Sequence, residues 1–592
     1  MSKRTLALEL LTVAGFCAFL FFFGLGAFGL TGADEPRYAQ IAREMLARHD
    51  WVTPVLYGQP WLEKPILYYW EAMLAYKFFG SSDWVARLPS AFSATVMVFA
   101  IYAFARRFLA TVAIDAALIT AATAAFIGFS HAASMDMPLT ACFTIGMMCW
   151  FCWYATVLPR EPGLKQERAW LLGFYLFMAL GTLAKGPVAP GLAALVIVIF
   201  VLLPFRDLRD ARIIWRTLWW PGVLLFLAVV LPWYIAVQRA NPGFASEFFF
   251  LHNLERFSTD LYRHKQPFWY YVPVLIAALA PWTVYALSAY VSSIRALRPR
   301  YGSAPAADTP VRTSSGSEAA KAPSQAVSFL RGTLHHLPLA QQRQFAAIVA
   351  LSPFLLVWGA VPIIFFSISR SKLPGYILPA IPAWTLLLAY YIARRAAEEP
   401  KPRPWRVLAH AAVAAAALGA VLELPYRLMH VAVPERVMDV AAAVTLVLLI
   451  GIALSILQNG LRALRFVTLV PVVIAMAYLV RVDGPALDPK ISTRLLAHEI
   501  QRIAPASAPV AVFHVTRQIE YGLGFYFDRE IPNYDRGEHI TGDHLVVAPL
   551  GSEQALAGEV HGRRVLHVGS FSPQKLELFW ISSAPQEHVH SR

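Results

Sequence analysis

The sequence predicts a mostly α, polytopic membrane protein with a small α/β domain at its C-terminal end. Three observations lead there. Of the 592 residues, 57% are hydrophobic and only 15% charged, far less charge than a soluble chain of this size brings to its surface. Apolar runs of about 18 residues or more, the length that crosses a bilayer, recur as far as residue 481. From residue 482 onward those runs give way to short alternating segments bounded by turn residues.

Taken in order, the runs give about thirteen spans, near residues 7–30, 84–105, 112–133, 138–158, 169–184, 187–204, 217–237, 269–292, 345–367, 376–393, 407–425, 437–457 and 465–481. The first resembles a signal peptide, but its apolar part is too long and lacks a cleavage site, so it is read as a retained helix. The basic connections "PREPGLKQER", "FRDLRDARIIWR", "SIRALRPRYG", "ARRAAEEPKPRPWR" and "NGLRALR", with Arg106–Arg107 and the N-terminal Lys3 and Arg4, all fall on one side of that arrangement. Basic loops collect on the cytoplasmic face. The net charge of +14 (51 basic minus 37 acidic) is therefore topological and calls for no nucleic-acid partner. Cys17, Cys142, Cys149 and Cys152 all lie inside apolar runs and predict neither disulfides nor a metal cluster.

The opposite face receives the first loop (31–83), "SMDMP", the "KGP" turn, "HNLERF", "SRSKLPGY" and everything after 482. The transmembrane domain is accordingly 1–481, with a cytoplasmic Pro/Ser/Ala-rich linker at 293–344, and the domain on the opposite face is 482–592. In the latter "TRLLAHEIQRI" reads as an amphipathic helix, and "APVAVFHV", "EYGLGFYF", "HLVVAPL" and "RRVLHVG" read as strands. No phosphate-binding glycine signature and no internal repeat is present.

In "GADEPRYAQIAREML", Tyr38, Ile41, Ala42, Met45 and Leu46 have the spacing of an amphipathic helix lying along the membrane interface. Asp34 stands where an N-cap belongs, with Pro36 in the first turn. The plain reading is a capped helix start. "GQPWLEKPILYYW" follows on the same loop, however, and two acid-bearing helix starts beside Arg37, Tyr38 and Lys64 also suit an anionic substrate. A carboxylate can act as a base while Arg and Lys neutralise phosphate.

"DEPRYAQIAREM", "LEKPILYYW", "HNLERF", "FWYYVPV" and "SKLPGYILP" together resemble the bacterial aminoarabinose transferase family. These are GT-C-fold enzymes related to the protein O-mannosyltransferases, and the likeness runs from about residue 30 to 395 in the same motif order. The resemblance implies an integral inner-membrane glycosyltransferase that moves a sugar from an undecaprenyl-phosphate carrier to lipid A or another periplasmic glycolipid, with inversion. It implies Asp34 as the catalytic carboxylate and no nucleotide cofactor, because the donor is itself a lipid phosphate. Glu35, Glu63 and Asp136 are supporting carboxylates. Arg37, Tyr38, Lys64, Lys185, Arg256, Arg370, Lys372 and Tyr376 are candidates for the donor phosphate. For each of these cations and tyrosines, anchoring at the membrane interface is the competing account; for Asp136 it is a helix cap. Glu63 with His252 could hold a divalent cation, although this chain has His252–Asn253 where other family members have Glu-His. Two rivals stay open: the same chemistry on a protein serine or threonine, and a polyprenyl-lipid flippase. A flippase would carry ionisable groups near the bilayer midplane and often repeated halves.

Overall fold

The computed structural model describes residues 2–157, 167–203, 211–248, 266–297, 339–398, 402–429, 433–505 and 507–582. The helices are α1 (Lys3–Cys17, prolonged to Phe22 by a wider turn), α2 (Asp34–Ala47), α3 (Leu67–Phe79), α4 (Asp83–Phe108), α5 (Ala113–Ala121), α6 (Ala124–Ser130), α7 (Asp136–Val157), α8 (Ala169–Lys185), α9 (Val188–Leu202), α10 (Arg212–Thr217) and α11 (Trp220–Ala240). Next come α12 (Tyr271–Ala278), α13 (Thr283–Leu297), α14 (Leu339–Ile368), α15 (Ile381–Glu398), α16 (Pro404–Met429), α17 (Glu435–Asn459) and α18 (Leu464–Tyr478). The C-terminal part holds α19 (Gly484–Ile491), α20 (Arg494–Ile503), α21 (Arg517–Phe527) and α22 (Glu553–Glu559).

Every expected span falls on a helix, but they differ in reach. Among the described residues nine helices are long and apolar enough to cross a membrane, or up to eleven if each bent pair counts as one span. One bent pair is the stretch Ala110–Ala121 with α6, at 55°; the other is Phe268–Ala278 with α13, at 117°. The two breaks meet, the Ala124 N–H donating to the Ala280 carbonyl at 2.9 Å. Helices α8 and α9 have 17 and 15 residues. At about 1.5 Å per residue they reach less than the roughly 30 Å of a hydrocarbon core, so among the described residues the count of about thirteen full spans is not confirmed.

Several ion pairs join helix ends of this apolar body. At one end Glu9 lies 3.9 Å from Arg106, Arg107 3.3 Å from Glu167 and Arg465 3.0 Å from Asp115. The acids and lysines of the five motifs that are described lie at the other.

The C-terminal sheet has the order β3 (Val510–Val512), β4 (His544–Pro549), β6 (Leu576–Ser582), β5 (Arg564–Phe571). Strands β3 and β4 are parallel and the other pairs antiparallel. Alternate residues serve two cores. Val510, Val512, Leu545, Val547 and Leu578 pack with α20 and α21, whereas Ala511, Val546, Ala548 and Phe579 pack with Leu556 of α22.

One expectation is corrected. "EYGLGFYF" is not a strand but most of α21. Its alternation of large and small residues has another cause: Gly522 and Gly524 sit so close to Thr493 and to the Tyr57 hydroxyl that a Cβ at either would collide. The fourth strand is β6, "LELFWIS". Helix α2 is more enclosed by the protein than its amphipathic spacing alone suggests. Glu35, Pro36, Arg37, Tyr38, Ala39, Gln40, Ile41, Ala42 and Met45 are all buried, because α3 covers one side and α21 another.

Candidate active site

Asp34 is the first residue of α2, with Ala33 in the cap position. The expected N-cap bond is absent. The Asp34 carboxylate instead accepts from Arg37, one turn on, at 2.6 Å, and its side chain stays 59% exposed. The carboxylates of Asp34 and Glu35 still suit the positive end of the helix.

The first loop folds back over α2 through a two-strand hairpin, β1 (Val55–Leu56) and β2 (Gln59–Pro60). Its two turn residues, Tyr57 and Gly58, have φ of 51° and 82°, as a tight hairpin of matching twist requires. Glu44 of α2 accepts from both turn amides, at 2.9 and 3.1 Å. That anchor delivers "WLEK" to the start of α2. Glu63 lies 3.3 Å from Arg37, and Lys64 lies 2.9 Å from Glu63. The result is a row of alternating charge, Asp34–Arg37–Glu63–Lys64, of which Arg37 and Glu63 are buried. Burial alone would lower the Arg37 pKa, but Tyr38, Glu63 and Asp34 outweigh it and hold the guanidinium above its ordinary value. Burial likewise pushes the Tyr38 hydroxyl well up, with Asp34 adding to the effect.

Glu35 has a different task. It accepts from Arg87 at 2.8 Å, from the Thr31 amide at 2.8 Å and from the Ala133 amide at 2.8 Å. Arg87 is fully buried and also donates to the carbonyls of Leu25, Phe28 and Gly29 at 2.7–2.9 Å. This pair ties the end of the first span, the start of α2 and the turn before α7 together. Arg87 was not singled out from the sequence. The available signal was an arginine five residues into an apolar span, a position where a charge needs a partner.

That turn leads to the second polar group. Asp136, the first residue of α7, is ion-paired with Lys185, the last of α8. It therefore does not serve simply as a cap; the Asp136 amide bonds Ser134 Oγ at 3.3 Å. The Lys185 ammonium lies 5.1 Å from the centre of the Tyr376 ring. Gly375 comes so close that a Cβ there would be 2.9 Å from the Asp136 carboxyl carbon. Tyr271 of "FWYYVPV" donates to the Leu373 carbonyl at 3.2 Å, and Lys372 donates to the Gln266 carbonyl at 3.0 Å and to that of Ser369. "SMDMP", "AKGP", "FWYYVPV" and "SKLPGY" thus converge.

Lys372 is buried and spends its ammonium on backbone carbonyls, whereas Arg370 is exposed. Arg256, His252 and Asn253 lie outside the described residues. Among the described residues no three His, Cys, Asp or Glu gather to hold a metal ion, and Glu63 is engaged by Arg37 and Lys64. Tyr69 is a further residue that the sequence reading passed over. It is fully buried, its hydroxyl has no hydrogen-bond partner among the described residues, and the charges of Arg37, Glu63 and Asp34 all act on it.

This arrangement suits an anionic ligand. Arg37 and Lys64 are held by carboxylates, a pairing that an entering anion can take over in part, and the Asp34 carboxylate is substantially exposed to solvent.

Residues 6–248 match the family model described as dolichyl-phosphate-mannose-protein mannosyltransferase. An undecaprenyl phosphate-α-4-amino-4-deoxy-L-arabinose arabinosyl transferase of Edwardsiella ictaluri is 28% identical over 373 residues, which is 62% of this chain and 56% of that protein. Its namesake in Pseudomonas aeruginosa is 30% identical over 373 residues, with the same coverage of both chains. The chain thus spans just over half the length of the curated relatives it matches. The crystal structure of ArnT from Cupriavidus metallidurans bound to undecaprenyl phosphate superposes with a TM-score of 0.70 at 22% identity, covering 99% of this chain and 100% of that one. The resemblance carried by the five motifs is borne out: in sequence and in its GT-C fold this chain is similar to the aminoarabinose transferase family.

Proposed function

We propose that the chain is an inner-membrane glycosyltransferase that moves a sugar, aminoarabinose by analogy with its relatives, from an undecaprenyl-phosphate carrier to lipid A or a similar glycolipid. The observation that carries the reading is the row Asp34–Arg37–Glu63–Lys64, with only Asp34 substantially open to solvent among its acids. We place the site on the periplasmic side; the one-sided basic connections, such as Arg106–Arg107 at the far end of α4, support that reading.

Transfer breaks the bond between the anomeric carbon and the carrier phosphate and forms one to the acceptor oxygen on the opposite face. The departing electron pair goes to the phosphate, where Arg37, Lys64 and Lys185 offset the charge. Asp34 stands at the reacting sugar. For an acceptor that is already an ionised phosphate it stabilises positive charge developing at the anomeric carbon. For a hydroxyl it takes up the proton.

A second reading, transfer to protein serine or threonine, is favoured by the description of the matching family model. Mass spectrometry of lipid A from cells with and without the gene separates the two. A sugar lost from lipid A supports the first; an unchanged lipid A with lost protein glycans supports the second.

A further inference from the structure

The C-terminal domain has no task in the transfer step as described, yet its helix α21 lies directly on α2. We propose that Tyr521, carried by that domain, is a positioning residue of the transfer site: it completes an aromatic sleeve that aims Arg37 at Asp34 and Glu63. The inference rests on the glycosyltransferase reading for its kinetic consequence, but its structural content stands apart from it.

Three rings surround the Arg37 guanidinium. Trp61 lies 5.0 Å from it, Tyr38 5.2 Å and Tyr521 5.7 Å. A planar cation is held in place by such faces. The first two rings come from the same loop as Arg37; the third comes from nearly 500 residues further along the chain. With its faces covered, the guanidinium directs the same nitrogen to Asp34 at 2.6 Å and to Glu63 at 3.3 Å.

Tyr521 is itself firmly placed. Its neighbour Glu520 is buried and accepts from Asn533 at 3.0 Å and from Arg536 at 2.6 Å, inside the C-terminal domain. Toward the membrane domain, Arg43 of α2 binds Asp528 at 3.0 Å and the Phe525 carbonyl at 2.7 Å. Tyr526 receives the Leu30 amide at 3.0 Å and donates to Asp83 at 3.0 Å, and Arg494 reaches Asp83 at 3.0 Å. These bonds flank Tyr521 on both sides. Docking the domain therefore sets the direction of Arg37, and a domain displaced from α2 leaves the cation without its third wall.

The competing account makes Tyr521 a core filler, since it is 8% exposed. Tyr521→Leu separates the two, because leucine fills apolar volume but offers a cation no aromatic face. Full-length protein carrying Tyr521→Phe or Tyr521→Leu would be compared with the wild type in two measurements. One is modification of Arg37 by phenylglyoxal, mapped by peptide mass spectrometry; the other is turnover with a polyprenyl-phosphate-linked sugar. A freed guanidinium is modified several-fold faster in Tyr521→Leu but not in Tyr521→Phe. Turnover in Tyr521→Leu falls about tenfold or more with KM for the donor changed less than about threefold, as misdirection of a site group predicts. Tyr521→Phe retains most of the turnover. Equal labelling of Arg37 in all three proteins overturns the proposal, as does wild-type turnover in Tyr521→Leu or equal damage from Tyr521→Phe. If the wild type moves no sugar, the glycosyltransferase reading fails, and the labelling still decides whether the sleeve exists.

Discussion

Replacing Arg87 with methionine removes the cation on which the start of α2 depends. The guanidinium is fully buried and gives hydrogen bonds to three carbonyls and to Glu35. Breaking one partner out of a buried ion pair costs about 3–5 kcal/mol, because the remaining charge stays buried without its counter-ion. Unfolding entropy of about 2.1 cal/mol/K per residue gives roughly 1.2 kcal/mol/K for a chain of this length. A loss of about 4 kcal/mol therefore lowers Tm by about 3 °C. Thermal unfolding in detergent, at one scan rate because such transitions are usually irreversible, measures the shift. Arg87→Met combined with Glu35→Gln recovers part of it by removing the stranded charge. Transfer falls more than stability does, since Glu35 adjoins Asp34 and also holds the turn before α7. A Tm within about 1 °C of wild type, with unimpaired transfer, refutes this account of the pair.

Other perturbations have equally definite outcomes. Lys185→Met removes the partner of Asp136 and a charge-assisted contact worth about 1.5–3 kcal/mol to a phosphate, so KM for the lipid donor rises about 10- to 100-fold; an unchanged KM removes Lys185 from the donor site. Gly29→Ala places a Cβ against the Tyr526 hydroxyl, 2.6 Å from Ser492 Oγ and 2.9 Å from Arg494 Cβ. It therefore loosens the docked domain, and limited proteolysis reads this as faster cleavage between residues 484 and 516, with wild-type rates counting against tight docking.

The large-scale plan was legible because two strong signals carry it. Apolar length marks the spans, and the one-sided basic clusters mark the ends. The same signals place "DEPR", "LEKP", "SMDMP", "AKGP" and "SKLPGY" at one end, where the structure finds them. Finer assignments failed where a side-chain or tertiary contact overrides a local pattern. Asp34 has the type and position of a cap, but Arg37 one turn away competes for its carboxylate. "EYGLGFYF" alternates like a strand, yet it is buried on two sides. Leu523 faces the sheet, and Tyr521 and Phe525 face α2. The burial of α2 on a second side comes from a domain that its own sequence cannot announce. The pairing of Arg87 with Glu35, 52 residues apart, and the approach of Tyr521 to Arg37 are equally long-range. "HNLERF", with Arg256 and His252, lies outside the described residues.

The central claim is that the Asp34 carboxylate, rather than its place at a helix start, is what the site needs. Asp34→Asn keeps a side chain of the same shape and a good residue for a helix start, and it leaves the Glu35–Arg87 pair in place. Purified wild-type and Asp34→Asn proteins would be given a polyprenyl-phosphate-linked sugar and lipid A, and product would be followed by mass spectrometry. The account predicts a folded protein, with Arg37 still paired to Glu63, and loss of transfer by at least about a hundredfold, the scale of a missing catalytic carboxylate. Wild-type transfer by Asp34→Asn would contradict it.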